Sequence, residues 1–219
     1  MLVGSLLASH GIDIERSQDA ALAWCTERAE AGNAQAQHAL AKLLWIGLGG
    51  PRNDRAAAQW CMKASAQGYL PATVMLSGFY STGIGVEVDH TRAIVLLETA
   101  AKAGSADAMN LLAVSYDHGL GVEKDHARAL GLWRSSAELG NVGAQHSLGS
   151  ALIESGNPTE ASEGVRWLRA AAEQQHYAAH YALADLYQVG KAGLPKNEKL
   201  ASHHREVAAQ LAGELDQGE

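Results

Sequence analysis

A glycine recurs every 36 residues along this chain of 219 residues, and that period constrains the fold more than any other feature. The recurring positions are Gly32, Gly68, Gly104 and Gly140, and Gln175 takes the fifth place one residue early. A second series lies further along each period, at Gly47, Gly83, Gly119, Ser155 and Gly190. Periods of about 20–50 residues are typical of proteins built by stacking one structural unit. The sequence therefore predicts a repeat protein.

Each period has the pattern of two helices. Between residues 69 and 104, Ala72, Leu76 and Tyr80 form one apolar stripe, which predicts a helix over Leu70–Thr82. The G-x-G segment that follows is interpreted as a helix stop, because glycine readily adopts the left-handed conformation. Asp89 is then predicted to cap a second helix. The equivalent predicted starts are Ser17, Asn53, Asp125, Glu160 and Asn197.

These boundaries predict a single repeat domain of six helix pairs, over 1–32, 33–68, 69–104, 105–140, 141–175 and 176–213, with an acidic tail at 214–219. Residues 2–10 align with a first helix that lacks its start, and its apolar face carries Leu2, Val3, Leu6 and Leu7. A solenoid normally ends in a polar capping face. This apolar end leaves two alternatives: the chain is a fragment of a longer protein, or this helix meets a partner or a second copy of the chain.

Charge and composition exclude several classes of function. The chain has 17 Lys+Arg and 24 Asp+Glu, a formal net charge of −7, which argues against a nucleic-acid partner. No apolar run reaches the roughly 18 residues that a membrane helix requires, so we expect no membrane insertion. The sequence contains no motif of a phosphate-binding loop, serine hydrolase or zinc protease, so we predict that the protein is not an enzyme and needs no cofactor.

The histidines and cysteines are interpreted as structural. A zinc site built from His176, His180, His203 and His204 is the alternative that we weigh against solvated or helix-end histidines, and we predict no metal. Cys25 and Cys61 occupy equivalent repeat positions, which lie about 8–10 Å apart in stacked helices and too far for a disulfide. Reduced thiols favour a cytoplasmic location, and a periplasmic location is the alternative if a signal peptide has been removed.

One repeat carries a family resemblance along its whole length. The residues between 108 and 140 that match are Ala108, Leu112, Ala113, Tyr116, Gly119, Gly121, Val122, Asp125, Ala129, Trp133, Ala137 and Gly140. This pattern resembles the Sel-one-like repeat, a relative of the tetratricopeptide repeat, and it recurs over nearly the whole chain. The resemblance implies an all-α, right-handed α-solenoid that acts as a non-enzymatic protein-interaction scaffold or adaptor. An immunity-type protein that neutralises a bacterial toxin or effector is the sharper alternative within the same class.

The resemblance also implies where a partner protein, either a peptide segment or a domain, would bind. In tetratricopeptide relatives the first helix of each pair lines the concave groove. Trp45 and Tyr181 are the predicted aromatic anchors, although Trp45 could instead pack against the next helix, and His38 and His146 could be half-buried without a role. When the groove positions of the tetratricopeptide relatives are carried over to this sequence, they give twelve predicted partner-binding residues. These are Trp45, His38, Lys42, Val74, Asn110, Val114, Asp117, His146, Ser150, Ile153, Tyr181 and Asp185.

Overall fold

The computed structural model describes residues 18–216, with side chains to residue 213. In that part of the chain all regular structure is helical. The predicted helix over 2–10, its apolar residues and the cap Ser17 lie outside the described residues. The helices are α1 (Gln18–Glu30), α2 (Ala34–Ile46), α3 (Asp54–Ala66), α4 (Leu70–Thr82), α5 (His90–Lys102), α6 (Ala106–His118), α7 (His126–Glu138), α8 (Val142–Glu154), α9 (Pro158–Glu173), α10 (Tyr177–Val189) and α11 (Glu198–Asp216).

Asparagine and aspartate side chains begin the second helix of most pairs, as predicted. The backbone N–H three residues later donates to Asn53, Asp89, Asp125 and Asn197, over 3.0, 2.8, 2.9 and 3.0 Å. These bonds satisfy N–H groups that a helix terminus otherwise leaves unpaired. The predicted capping positions are therefore confirmed for these four helices.

The predicted start of α9 at Glu160 is wrong. The helix begins at Pro158, and the side chain of Asn157 accepts a 2.9 Å hydrogen bond from the N–H of Thr159. Proline is favoured at the first helical position because its missing N–H would have no partner there, and its fixed φ already suits a helix. Glu160 lies within the first turn of α9.

The two glycines of the G-x-G segment have different roles. The first ends a helix, as Gly83 does with φ 78°. The second lies against the start of the second helix of the preceding repeat. A Cβ at Gly85 would lie 2.0 Å from the carbonyl oxygen of Asp54, and a Cβ at Gly49 would lie 2.5 Å from that of Gln18. The G-x-G segment therefore ends the helix, as predicted, and its second glycine also allows a close backbone approach that the sequence did not predict.

The chain forms two compact blocks. The N-terminal block comprises the described residues 18–108 and 120–123, and the C-terminal block comprises 109–119 and 124–216. Each block has its own buried clusters, in which alanines at fixed repeat positions allow close packing of the helices. Cys25 and Cys61 are fully buried free thiols in two separate clusters of the N-terminal block, which confirms the interpretation of both as core thiols.

Candidate functional site

The structure buries His38, one of the predicted groove residues of α2. His38 is 6% exposed, and its ring centroid lies 5.5 Å from that of Tyr69. Burial, followed by the charge of Lys42, lowers the pKa of His38 to about 4. Lys42 itself and Val74 of α4 are half-buried. His38 is therefore part of the interior, where a partner could reach little of it.

Trp45 packs inside the N-terminal block. Its ring meets Phe79 edge-on, with centroids 5.8 Å apart and planes at 65°. It joins a cluster with Cys61, Met75 and Ile84. The alternative left open by the sequence, in which Trp45 packs against the next helix, describes this arrangement.

The predicted residues of α6 are half-buried in the C-terminal block. Asp117 Oδ1 lies 2.7 Å from Nδ1 of His126, the first residue of α7. One of the two carboxylate oxygens of Asp117 therefore already has a partner. Val114 lies between two buried positions of the same helix. Asn110 Oδ1 is buried and finds no hydrogen-bond partner among the described residues. None of these side chains projects as a free anchor.

The first turns of α10 carry an aromatic pair. Tyr177 and Tyr181 are each 41% exposed and meet edge-on, with ring centroids 6.4 Å apart. The predicted His146 on α8 is half-buried, and its ring centroid lies 4.9 Å from that of His176. Burial, then the charge of His176, lowers the pKa of His146. Tyr181 is thus the predicted anchor that remains accessible.

Three predicted residues meet in one cleft of the C-terminal block. Ser150 and Ile153 reach it from α8, and Asp185 reaches it from α10. We call it the α8–α10 cleft; its volume is about 360 Å³, within the range of small-ligand sites. Its complete lining is Ser150, Ile153, Glu154, Leu168, Ala182, Asp185, Leu186, Val189 and Lys191.

The α8–α10 cleft has an apolar floor and a charged rim. Ile153, Leu168 and Leu186 are at most 8% exposed, whereas Val189 at the edge is 66% exposed. Glu154 and Lys191 carry opposite charges at the rim. Asp185 accepts a 3.2 Å hydrogen bond from the guanidinium of Arg205 on α11. This arrangement suits an apolar group bordered by polar ones.

The residues that line the α8–α10 cleft correspond to residues of one hydrophobic cluster in the N-terminal block. A step of three repeats takes α2 to α8, α3 to α9 and α4 to α10, with one residue deleted in the loop before α9. Cleft-lining residues thereby match members of the Trp45 cluster. The pairs are Trp45 with Ile153, Cys61 with Leu168, Met75 with Ala182, Phe79 with Leu186 and Ile84 with Lys191. Three apolar side chains give way to smaller ones, Ile84 gives way to a cation, and Cys61 gives way to the larger Leu168.

Six of the lining residues escaped the prediction from sequence, which treated every repeat alike. They are Glu154, Leu168, Ala182, Leu186, Val189 and Lys191. The signal that could have found them is a comparison between repeats at fixed register. Alanine at the place of Met75 and lysine at the place of Ile84 both mark a loss of apolar volume.

The histidines considered for zinc serve other contacts. His176 caps α10, where its Nδ1 accepts a 3.3 Å bond from the N–H of Ala179. His180 and His204 bond to each other through their Nδ1 atoms, 2.9 Å apart. Within the described residues no group of three or more His, Cys, Asp or Glu is arranged to hold a metal ion. Residues 18–216 also contain no helix with both the length and the hydropathy for crossing a membrane.

Three bacterial proteins of known structure have a similar fold. A Sel1 repeat protein from Oxalobacter formigenes is 29% identical with a TM-score of 0.83, over 93% of this chain and 81% of that one. The protective antigen c5321 of uropathogenic Escherichia coli, with an SLR fold, is 28% identical with a TM-score of 0.73, over 98% of this chain and 45% of that one. The immunity protein Pa5087 from Pseudomonas aeruginosa shares the fold at 19% identity and a TM-score of 0.61, over 89% of this chain and 74% of that one.

Among curated proteins, the uncharacterized protein NMB1327 of Neisseria meningitidis serogroup B is 50% identical over 52 residues. That stretch is 24% of this chain and spans only 11% of the relative. The profile of the Sel1 repeat matches this chain six times, over residues 2–33, 34–69, 71–105, 106–141, 142–176 and 178–211. With paired helices at that period through residues 18–216, the chain belongs to the Sel1 repeat family.

Proposed function

We propose that this protein is a non-enzymatic scaffold that binds a segment of a partner protein, and that the segment inserts an apolar side chain into the α8–α10 cleft. Sel1 repeat proteins generally mediate protein–protein interaction. The observation that carries the proposal is the cleft itself, because three repeats earlier the matching residues pack in or against one hydrophobic cluster. A small pocket with an apolar floor is the setting in which a single anchoring side chain contributes most binding energy.

The chemistry of the lining favours recognition over catalysis. Five of its residues are apolar, and its serine, carboxylates and lysine stand at the rim without a histidine or cysteine in the lining. The Asp185 carboxylate is already engaged by Arg205. Tyr181 lies one helical turn before Asp185 and extends the accessible surface along α10. A partner segment could therefore lie along α10 and anchor in the cleft.

A displayed library of random peptides, selected against the purified protein, tests the proposal. We expect enriched peptides whose binding is lost, at least tenfold in Kd, when Ile153→Trp fills the cleft from inside. Val95→Trp is the matched control, because it adds the same ring to the exposed surface of α5 in the N-terminal block. Equal binding to the Ile153→Trp variant, or no enrichment, would refute the proposal.

The immunity-type role stays a prediction. The likeness to Pa5087 is one of fold at 19% identity, and it carries no information about what this chain binds. The alternatives of a longer parent protein and of self-association depend on residues 2–10, outside the described residues. Both stay predictions.

A further inference from the structure

Resting on the proposed function, we infer that the partner side chain taken by the α8–α10 cleft is aromatic, and that Lys191 covers the inserted ring. The inference comes from the repeat itself. The chain shows, three repeats earlier, what fills a cleft between these elements.

The occupant of the equivalent place is an indole. Trp45 lies edge-on to Phe79, and both pack against one cluster with Met75. In the C-terminal block the matching residues are Ile153, Leu186 and Ala182, all of which line the cleft. The helices that hold these residues keep the same lengths and limits, since α2 and α8, like α4 and α10, each have 13 residues. A partner ring would thus restore a contact that the sequence has removed.

The size of the cleft favours a ring over a branched aliphatic side chain. A space of about 360 Å³ would be only partly filled by a leucine or valine side chain, and unfilled apolar space forfeits dispersion contacts. Aromatic side chains also bury more apolar area at a low cost in rotamer entropy. The floor offers Leu168 and Leu186 as the surfaces against which a ring would lie.

Lys191 supplies a cation beside that ring. It replaces Ile84 at the edge of the equivalent cluster and lines the cleft. This chain repeatedly places a cation over an aromatic face: Lys63 Nζ lies 3.9 Å from the ring centroid of Trp60, and the guanidinium of Arg128 lies 4.2 Å from that of Tyr116. Cation–π contacts are strongest with tryptophan. An indole is therefore the preferred occupant.

The test uses two small probes, N-acetyl-L-tryptophanamide and N-acetyl-L-leucinamide, titrated into methyl-labelled full-length protein. We expect the tryptophan probe to shift the methyl resonances of Leu168, Leu186 and Val189, with the weak affinity of a fragment, about 0.1–10 mM. The leucine probe should bind at least fivefold more weakly. Lys191→Ala should weaken the tryptophan probe about threefold or more, whereas Lys63→Ala, in the N-terminal block, should leave it unchanged.

Filling the cleft is the second arm. Ala182→Met introduces the side chain that Met75 has at the equivalent position of the N-terminal block, and it should reduce binding of the tryptophan probe at least fivefold. Ile153→Trp should abolish binding of this probe. Circular dichroism and the methyl spectrum without probe confirm that each variant is folded.

The outcomes separate the two proposals. Leucine binding as tight as tryptophan, or no response of the cleft methyls to either probe, overturns the aromatic inference. If library peptides still require an open cleft in that case, the proposed function survives. If library peptides bind the Ile153→Trp variant as well as the unmodified protein, the proposed function fails whatever the probes show.

Discussion

His180 and His204 join α10 to α11 through a hydrogen bond between their Nδ1 atoms, 2.9 Å apart. The other ring nitrogen of His180, Nε2, lies 3.1 Å from the carbonyl oxygen of Ala172, which can only accept. Nε2 of His180 therefore carries a proton, and in the neutral ring Nδ1 accepts. It follows that Nδ1 of His204 is the donor.

Acidification is expected to loosen α11 from α10, because it places a charge on the partly buried ring of His204. Burial, then the charges of His180, His203 and Arg169, lowers the pKa of His204. Because the folded state holds fewer protons than the unfolded state, the stabilisation is present at neutral pH. This stabilisation is lost as the pH falls below the ordinary pKa of histidine and then through the lowered pKa of His204. Hydrogen exchange should show the amides of α11 losing protection between pH 7 and pH 5, before those of α9.

The contacts of His204 suggest a control variant for the hydrogen bond between His180 and His204. His204 stacks on Tyr187 at 5.8 Å, and the Tyr187 hydroxyl accepts from Arg169 at 3.0 Å, while Arg205 bonds Asp185. His204→Gln keeps a neutral donor and removes a titrating ring, so it should reduce the pH dependence of α11. Unchanged protection of α11 between pH 7 and pH 5 in the unmodified protein would contradict the expectation.

His38 should make the whole N-terminal block sensitive to acid. Burial, then Lys42, lowers its pKa from about 6.5 to about 4, so between these values only the unfolded chain takes up the proton. The free energy of unfolding should fall by about 2 kcal/mol as pH drops across this range, allowing for residual solvent screening. Urea denaturation at pH 7 and pH 4.5 measures it. His38→Gln should remove this decrease in the free energy of unfolding. The matched change His90→Gln, at an exposed position, should leave the decrease in place.

The two cysteines should resist modification while the protein is folded. Burial raises the pKa of Cys25 to about 11 and that of Cys61 to about 12, and the reactive species is the thiolate. At pH 8 a thiol reagent should label them only as fast as the structure opens, and both promptly in urea. Ser202→Cys, on an exposed position of α11, gives the rate for an accessible thiol. Native labelling at that rate would count against burial of these thiols.

Gly164 should tolerate no side chain. It faces Gly149 where α9 crosses α8, and a Cβ there would lie 2.5 Å from the Gly149 carbonyl oxygen and 2.8 Å from Cγ1 of Ile153. Gly164→Ala should destabilise the protein by about 2 kcal/mol, because overpacking forces the helices apart. Gly131→Ala is the matched change in α7, where a Cβ meets nothing within 4 Å. It should stabilise by about 0.5–1 kcal/mol, since alanine favours helix. Urea denaturation measures the free energy of unfolding of both variants. Similar changes at Gly164 and Gly131 would be inconsistent with a close contact between α8 and α9 at Gly164.

Local signals determine how much of this fold could be predicted from sequence. Helix limits depend on residues within one turn, so Asp89 and Gly83 placed α4 and α5 correctly. Glu160 failed because the short loop before α9 puts proline and asparagine ahead of it. The site was harder to predict, since the groove geometry carried over from tetratricopeptide relatives treats Trp45 and Ile153 as equivalent positions. Whether such a position is filled or open depends on Phe79 or Leu186 from another helix, and no local pattern reports that.

The second glycine of each complete G-x-G loop in the N-terminal block has a consequence for how the family can diverge. Gly49 and Gly85 lie against main-chain atoms at the start of a helix in the preceding repeat, and Gly121 lies against His90 in the same way. The spacing between neighbours is thus set by backbone meeting backbone. Side chains around such a joint can be exchanged over evolutionary time without altering the distance between repeats. The loop that carries Lys191 beside the α8–α10 cleft has no such contact, since a Cβ at Gly193 would meet only Oγ of Ser162, at 3.7 Å. The cleft therefore lies at a place where this backbone contact is missing.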